Sequence, residues 1–304
     1  MIAIIGHKNP DTDAVVSACV MGDFLKKRGQ KAQAFRAGKV NKETEFVFKE
    51  AGIKIPPLIK NISKKEVFLV DHNESEQSVS GIEKADVTGV LDHHKLGGLK
   101  NDKPVYFRIE PIGSTSTLIF KLFQENNFIL NKKQAFLLLC GILSDTLKFK
   151  SPTATPEDIK IAKQLAKICK SNIEELAKEM FKAKSDISGM SLKDLIFMDY
   201  KEFQKNKTKF GIGVHETVNP KNVLDKRDEI IKTISSSKKK LNTPLIFFAV
   251  VDILKKESYL FVAGEKEKLI SKKAFKKTNK NNLVFLSKIV SRKKQIAPAI
   301  LNVL

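Results

Sequence analysis

Residues 2–15 read IAIIGHKNPDTDAV, an isoleucine-rich run, a short polar loop and the start of an apolar, helix-like segment. The loop carries His7, Asp11 and Asp13. Strand, polar loop and helix form the arrangement in which α/β proteins place ligand-binding groups, beyond the carboxyl end of a parallel strand. An imidazole and two carboxylates so close in sequence can face one point, where a divalent cation is the natural occupant. The alternative is a strand followed by a helix that Asp11 or Asp13 simply caps, and this stretch alone leaves both readings open.

Two further apolar segments, predicted as strands at residues 66–70 and 87–91, end in the same residue types. The side chains that follow them are Asp71, His72, Asp92, His93 and His94. Adjacent parallel strands would present these groups together with those of the opening loop. Asp145, at the end of the apolar helix predicted over residues 133–143, is a further contributor. Since four of the 5 histidines fall inside these motifs, we expect one functional cluster rather than scattered surface side chains.

A cluster of carboxylates with one or two imidazoles suits Mn²⁺, Mg²⁺ or Co²⁺ better than metals selected by thiolates. The ligands are too many for one closed tetrahedral site. Two cations about 3.5–4 Å apart, with a shared carboxylate, would use them all and hold an attacking water opposite a phosphoryl oxygen. Without metal, so many carboxylates would repel one another or hold protons at raised pKa values.

Composition places the chain among ordinary globular proteins, with 304 residues of which 42% are hydrophobic. The 3 cysteines lack CxxC spacing, which suits a reducing cytoplasm. We expect neither a signal peptide nor a membrane partner, because no basic leader is visible and the apolar run at residues 245–251 is too short to span a bilayer.

The formal charge of +21 has two interpretations. A nucleic acid or another polyanion would be attracted by it. We favour the simpler interpretation, in which lysine fills the solvated surface, because the sequence contains no recognisable nucleic-acid module. A small anionic substrate would also be steered by such a field.

The alternation of strands and helices up to about residue 185 predicts an α/β domain over residues 1–185, with a doubly wound, mostly parallel sheet. The polar, glycine-containing residues 186–191 are predicted to be a linker. Residues 192–304 are predicted to form a smaller α/β domain with a mixed sheet. Its predicted strands lie at residues 210–214, 245–252, 259–263 and 283–285.

The His-x3-Asp-x-Asp opening, VDHNE at residues 70–74, LDHHK at residues 91–95 and the Asp145 loop resemble the DHH phosphoesterase superfamily. Within it, SRKKQ at residues 291–295 resembles the signature of the manganese-dependent (family II) inorganic pyrophosphatases. The segments RIEPIGSTST and SDTLKFKSPTAT are similar too, so that the resemblance spans residues 2–298. It implies a DHH metal-binding domain, a substrate-binding domain of the DHHA2 kind, and an active site in the cleft between them.

The resemblance also implies two metal ions that share Asp71. The implied ligands are His7, Asp11 and Asp71 for one ion, and Asp13, Asp71, His93 and Asp145 for the other. Mn²⁺ is the expected metal, with Co²⁺ or Mg²⁺ as substitutes, and additional Mg²⁺ is expected to arrive with the substrate. Asp92 is expected either to orient a neighbouring imidazole or cation, or to be a structural hydrogen-bond acceptor, and the sequence favours neither.

Four side chains are implied in substrate binding and catalysis, namely His94, Lys201, Arg292 and Lys293. Arginine offers a planar fork for phosphate oxygens, whereas lysine supplies a point charge. The implied reaction is hydrolysis of inorganic pyrophosphate to two phosphates, in which a water between the metals attacks phosphorus in line. The resemblance further implies a homodimer that forms through the N-terminal domain.

Two other functions compete with this interpretation. A DHH phosphodiesterase or exonuclease acting on nucleotides or short oligonucleotides would share the N-terminal ligands. Such relatives carry a glycine-rich, histidine-containing motif in the second domain, whereas Gly264 is the last glycine here. A non-catalytic, basic nucleic-acid-binding protein ranks lower, because the carboxylate cluster would repel phosphates, and we expect no nucleic-acid partner. Members of the family often have a Gln-Val pair in the first strand of the second domain, where this chain reads Gly213-Val214-His215. We assign no role to His215.

Overall fold

Two five-stranded sheets organise the chain, one in each of two units, Met1–Ala183 and Lys184–Leu304. The structure, a computed structural model, describes residues 1–101, 103–206 and 208–304. Most of the strands are short apolar runs that end at polar or turn-forming residues, such as β1, β3 and β8.

The sheet of the first unit is parallel throughout, with strand order β2-β1-β3-β4-β5. Its strands are β1 (Ile2–Ile5), β2 (Ala32–Phe35), β3 (Glu66–Val70), β4 (Asp86–Asp92) and β5 (Tyr106–Ile109). Its helices are α1 (Thr12–Lys27), α2 (Lys42–Ala51), α3 (Thr115–Glu125), α4 (Lys132–Asp145), α5 (Pro156–Cys169) and α6 (Ile173–Ser185). The prediction of a mostly parallel N-terminal sheet is confirmed.

The chain leaves β1 toward β2 on one side and later places β3 on the other side of β1. In an open parallel sheet, the point where the strand order reverses leaves a crevice beyond the carboxyl ends of the strands. Ile5 at the end of β1 pairs with Leu69 near the end of β3, so the loops after both strands open at this crevice. This topology alone brings the opening loop next to Asp71.

Helix α1 packs deep in the first unit, since twelve of its 16 residues are buried. Close packing against α4 depends on Gly141, where an added Cβ would lie 2.5 Å from Asp13 Oδ1 and closer still to Ser116 Oγ. A glycine at this point of α4 therefore leaves the room that the Asp13 carboxylate occupies.

The sheet of the second unit is mixed, with strand order β10-β9-β8-β7-β6. Its strands are β6 (Tyr200–Lys205), β7 (Thr208–Thr217), β8 (Leu245–Asp252), β9 (Glu257–Val262) and β10 (Leu283–Ser287). Its helices are α7 (Leu192–Phe197), α8 (Lys221–Leu224), α9 (Arg227–Leu241), α10 (Glu265–Phe275) and α11 (Ala297–Val303). Only β7 and β8 run parallel among these pairs, and the prediction of a mixed sheet is confirmed.

Strand β6 is absent from the sequence-based prediction, because YKEFQK has too few apolar residues to indicate a strand. It forms an edge of the sheet by pairing antiparallel with β7, with Lys201 opposite Ile212. A single π-helical turn, Arg292–Ile296, precedes α11. In the part of the chain that the structure describes, no helix has the length and apolar character needed to cross a bilayer.

Candidate metal centre

The loop between β1 and α1 uses Asp11 in two ways. One oxygen, Oδ1, accepts a hydrogen bond of 2.9 Å from the Ala14 backbone N–H and so caps α1. The other oxygen, Oδ2, lies 3.4 Å from Nε2 of the buried His7. The capping and ligand interpretations of this loop are therefore compatible, because each uses a different oxygen of the same carboxylate.

Asp71 lies at the centre of the cluster, directly after β3, in the left-handed backbone region with φ 61°. Aspartate tolerates this conformation better than most residues, and such geometry is concentrated at functional sites. Its carboxylate points to two imidazoles, with Oδ2 3.4 Å from His7 Nε2 and Oδ1 3.3 Å from His93 Nε2. Oδ2 is buried, and within the described ranges it meets no hydrogen-bond partner.

The N-terminus of α3 holds the fully buried Asp13 carboxylate. Backbone N–H groups of Thr115 and Ser116 donate to it at 2.7 and 3.1 Å, and the Ser116 hydroxyl donates at 2.5 Å. The Thr115 hydroxyl donates to Asp71 at 3.0 Å. A helix N-terminus favours negative charge, so α3 fixes the position of both carboxylates.

His93 is oriented by the backbone carbonyl of Ile112, which accepts a hydrogen bond of 3.0 Å from Nδ1. Because the carbonyl can only accept, the proton of this hydrogen bond lies on Nδ1, and Nε2 is the ring atom that faces the carboxylates. Nε2 lies 3.1 Å from Oδ2 of Asp145, the last residue of α4. A histidine whose Nδ1 is held by a carbonyl in this way is the usual arrangement at a metal ion.

Asp92 shapes the turn that follows β4 and contacts His94. Its Oδ1 accepts from the backbone N–H of His93 at 2.7 Å and from His94 Nδ1 at 2.8 Å, while Asn73 donates to Oδ2 at 2.5 Å. Although burial raises the pKa of the Asp92 carboxyl, its hydrogen bond to His94 and the charge of that imidazole outweigh this effect and lower the pKa. Both expected roles of Asp92, structural acceptor and orienting group, thus have contacts that support them.

His72 differs from the other histidines of the motifs. The residue follows Asp71 directly, yet its Nδ1 lies 3.0 Å from the Val70 carbonyl and its Nε2 lies 2.7 Å from the Ser78 hydroxyl. The expectation that all four motif histidines face one site is therefore wrong for His72, since both of its ring nitrogens serve local hydrogen bonds.

Crowding of carboxylates raises two pKa values in the cluster. Burial and the charges of Asp71 and Asp145 raise the pKa of Asp13 well above its ordinary value. Burial, together with the charges of Asp11 and Asp71, raises the pKa of Asp145 to about 6. This is the electrostatic strain that divalent cations would relieve.

The imidazoles have the opposite effect on the other two carboxylates. Burial raises the pKa of Asp71, but its contacts with His7 and His93 outweigh this effect and lower the pKa well below its ordinary value. Burial also opposes ionisation of Asp11, and the charge and hydrogen bonding of His7 again produce a net lowering of the pKa.

Among the residues that the structure describes, three groups of side chains could each hold a metal ion, because the ligand atoms within each group lie within 4.8 Å of one another. The groups are His7, Asp11 and Asp71; Asp13, Asp71, His93 and Asp145; and Asp71, His93 and His94. The first two have the composition that the family resemblance implies, and Asp71 belongs to every group. Carboxylate oxygens and imidazole nitrogens without thiolates fit a hard to borderline divalent cation such as Mn²⁺.

Sequence reasoning did not assign roles to Asn73, Thr115 or Ser116. Hydroxyl and amide side chains carry no pattern that distinguishes a surface residue from one that holds a ligand. The only signal for Thr115 and Ser116 was the similarity of the segment RIEPIGSTST to the family.

The expected phosphate-binding cations of the second unit lie near the start of β6. The Arg292 guanidinium donates from Nη1 to the Asp199 carbonyl and from Nη2 to the Asp199 carboxylate, each at 2.7 Å. Nη1 also lies 3.4 Å from the Ile212 carbonyl, and Ile212 is the residue opposite Lys201 in the sheet. Lys293 follows Arg292 in the π-helical turn. The second unit thus holds Arg292 in a fixed place close to Lys201.

Comparison with known proteins assigns both halves of the chain. Residues 1–142 match the DHH family N-terminal domain, and residues 178–303 match the DHHA2 domain. A protein of Exiguobacterium sp. assigned as a manganese-dependent inorganic pyrophosphatase is 40% identical over 299 residues, which cover 98% of this chain and 96% of that protein. The manganese-dependent inorganic pyrophosphatase of Methanothrix thermoacetophila is 37% identical over 299 residues, with the same coverage of each chain.

Similarity extends to the three-dimensional structure. A crystal structure from Methanococcus jannaschii, assigned as a family II inorganic pyrophosphatase, superimposes with a TM-score of 0.91 at 38% identity. The match covers 100% of this chain and 99% of that one. With this identity over nearly its whole length, and with its DHH and DHHA2 domains, the chain belongs to the manganese-dependent, family II inorganic pyrophosphatases.

Proposed function

We propose that this protein hydrolyses inorganic pyrophosphate to two phosphates with the help of two Mn²⁺ ions. The observation that carries the proposal is the pair of ligand groups that share Asp71, in a chain 40% identical to a protein assigned to this activity. Four carboxylates balance the charge of two divalent ions, and the crowding that raises the pKa values of Asp13 and Asp145 supplies a physical reason for binding them.

His7, Asp11 and Asp71 hold one ion in this proposal, and Asp13, Asp71, His93 and Asp145 hold the other. Two bound cations supply a water of lowered pKa and positive charge for the phosphoryl oxygens. The residues of the first unit contribute by keeping the ligand side chains ionised and in position. Asp71 stays ionised because the imidazoles lower its pKa, and the N-terminus of α3 keeps Asp13 in place.

Four side chains bind the substrate in this proposal, His94, Lys201, Arg292 and Lys293. His94 is 23% exposed in its side chain and is oriented by Asp92, so it can donate to a phosphoryl oxygen. Arg292 and Lys201 stabilise charge on the leaving phosphate, and Asp199 fixes the guanidinium before substrate arrives. Positioned donors of this kind provide most of the catalysis in phosphoryl transfer.

Phosphate release from pyrophosphate tests the proposal. Metal-stripped protein is reloaded with Mn²⁺, Co²⁺, Zn²⁺ or Mg²⁺, and both phosphate release and cleavage of short oligonucleotides are measured. We expect rapid phosphate release with Mn²⁺ and none from an Asp71→Asn variant. Cleavage of oligonucleotides without phosphate release for any metal would refute the proposal in favour of a DHH phosphodiesterase.

The setting of the enzyme is also part of the proposal. Cys19, Cys140 and Cys169 are all free thiols, which supports a place in the reducing cytoplasm. Tyr106 and Phe107 on the edge strand β5 are 46% and 39% exposed, which supports a homodimer through the first unit. We propose no nucleic-acid partner, because the sequence contains no recognisable nucleic-acid module. Light scattering tests for the homodimer, and a filter-binding assay with short DNA and RNA tests for nucleic-acid binding.

A further inference from the structure

Glu43 is a fully buried carboxylate that the proposed mechanism does not use. It lies in the first turn of α2, outside the three ligand groups. Its Oε2 accepts two hydrogen bonds from different elements, one of 2.9 Å from the Thr12 hydroxyl and one of 2.7 Å from the Ser144 hydroxyl. One oxygen atom thus joins the start of α1 to the end of α4.

Burial of a carboxylate needs compensation, and the surroundings of Glu43 supply it. Two hydroxyl donors contact Oε2 directly. The residue also lies at the positive end of α2, whose first turn is capped by Asn41 through a 2.8 Å hydrogen bond from the Thr44 N–H. Oγ1 of Thr44 lies 3.0 Å from Oγ1 of Thr12, so the same helix end contacts the start of α1 a second time.

The two hydroxyls that Glu43 binds belong to residues adjacent to the proposed ligands. Thr12 stands between Asp11 and Asp13, and Ser144 directly precedes Asp145. We infer that Glu43 is a positioning residue that fixes the distance between Asp13 and Asp145 and so prepares the first unit to bind the second metal ion. This inference rests on the proposed two-metal function and extends it to a residue that touches neither metal nor substrate.

The geometry predicts an unequal effect on the two ions. The group of Asp13, Asp71, His93 and Asp145 takes two of its ligands from segments that Glu43 joins. The group of His7, Asp11 and Asp71 takes only one ligand from them. Loss of the connection should therefore lower the Mn²⁺ affinity of the group of Asp13, Asp71, His93 and Asp145 more than that of the other group.

The test measures Mn²⁺ binding directly, by the electron paramagnetic resonance signal of free Mn²⁺ and by titration calorimetry. We compare Glu43→Leu, which removes the acceptor, with Glu43→Gln, which keeps one oxygen able to accept both hydroxyls. Thr12→Val and Ser144→Ala each remove a single donor with little change in shape, and they remain informative if Glu43→Leu does not fold. The matched control is Glu267→Gln, a buried glutamate of the second unit that pairs with Lys238.

We expect Glu43→Leu to bind one Mn²⁺ with an affinity lowered by about 10–100-fold, as is usual when a group that orients a ligand is lost. Glu43→Gln should bind as the wild type does, Ser144→Ala and Thr12→Val should fall between, and Glu267→Gln should change thermal stability alone.

Wild-type affinity for both ions in Glu43→Leu and Ser144→Ala would overturn the inference, even with a lowered melting temperature, because Glu43 would then be structural only. Equal losses in Glu43→Gln and Glu43→Leu would also overturn it, because charge rather than the hydrogen-bonded connection would be responsible. If the wild-type protein itself bound no Mn²⁺, the proposed function would fail instead, so the two failures are distinguishable.

Discussion

Gly141 offers a sharp test of how closely the cluster is packed. Replacing a glycine inside a helix by alanine normally stabilises a protein by about 1 kcal/mol. At Gly141 the new methyl group would lie 2.5 Å from Asp13 Oδ1 and 2.9 Å from Val16 Cγ2, and closer still to Ser116 Oγ. All three neighbours are buried, so the methyl group has to displace them.

The magnitude follows from three contributions. Overpacking of a core position costs about 1–3 kcal/mol, and weakening the charged hydrogen bond between Ser116 and Asp13 costs about 1.5–3 kcal/mol. The higher helix propensity of alanine offsets about 1 kcal/mol of these two costs. We therefore expect Gly141→Ala to lower the free energy of unfolding by about 1.5–5 kcal/mol. We also expect it to lower Mn²⁺ affinity at least about 10-fold, because Asp13 moves.

Gly22, inside α1, is the matched control for the same substitution. Its added Cβ would meet Ala34 N and Ile4 Cδ1 at 3.7 Å, an ordinary contact distance. Gly22→Ala should therefore raise the free energy of unfolding by up to about 1 kcal/mol and leave Mn²⁺ binding unchanged. The assay is thermal unfolding of metal-free protein together with Mn²⁺ titration. A Gly141→Ala protein as stable as Gly22→Ala, with wild-type affinity for Mn²⁺, would refute the reasoning.

Three further predictions concern the metals, the second unit and pH. Excess chelator should lower the melting temperature of the protein. Addition of Mn²⁺ at 100 times its Kd should then raise the free energy of unfolding by about 2.7 kcal/mol. A melting temperature that Mn²⁺ does not change would show that the folded protein does not bind the ion. Arg292→Ala should lower kcat/KM for pyrophosphate at least about 100-fold, while calorimetry still finds two Mn²⁺; loss of both ions would contradict the proposed division of roles. Burial and the charge of Lys184 lower the pKa of His215 from 6.5 to about 4, so its contribution to stability is present above pH 6.5 and is lost as the pH falls toward 4. In urea unfolding the wild type should lose about 3 kcal/mol more than His215→Gln over this range, and parallel pH profiles for the two proteins would exclude this role.

The clustering of the carboxylates and imidazoles was largely predictable, because parallel strands end at a common edge of the sheet. Their proposed division between two ions came from the family resemblance. Asp71 and His93 each follow an apolar run, and that pattern is visible in the sequence itself. His72 has the same pattern and yet turns away, because its side-chain direction depends on Ser78, a contact that sequence spacing does not reveal.

The supporting residues were less predictable, for two physical reasons. Glu43 lies in a segment with ordinary helix periodicity, and its burial arises only when α1, α2 and α4 pack together. Strand β6 has few apolar residues and lies at the edge of a sheet, where its partner strand rather than its composition determines its conformation. Lys201 was located by family similarity, and its place in a strand had no signal of its own.

The position of Asp71 in every ligand group has a thermodynamic consequence. Two sites that draw on one carboxylate cannot be independent, so the first cation to bind changes the free energy of binding the second. Such a coupling free energy is reciprocal, and each ion must alter the affinity of the other by the same factor. Titration with Mn²⁺ should therefore deviate from two identical, independent sites, and the sign of the deviation reports whether relief of carboxylate repulsion outweighs repulsion between the ions.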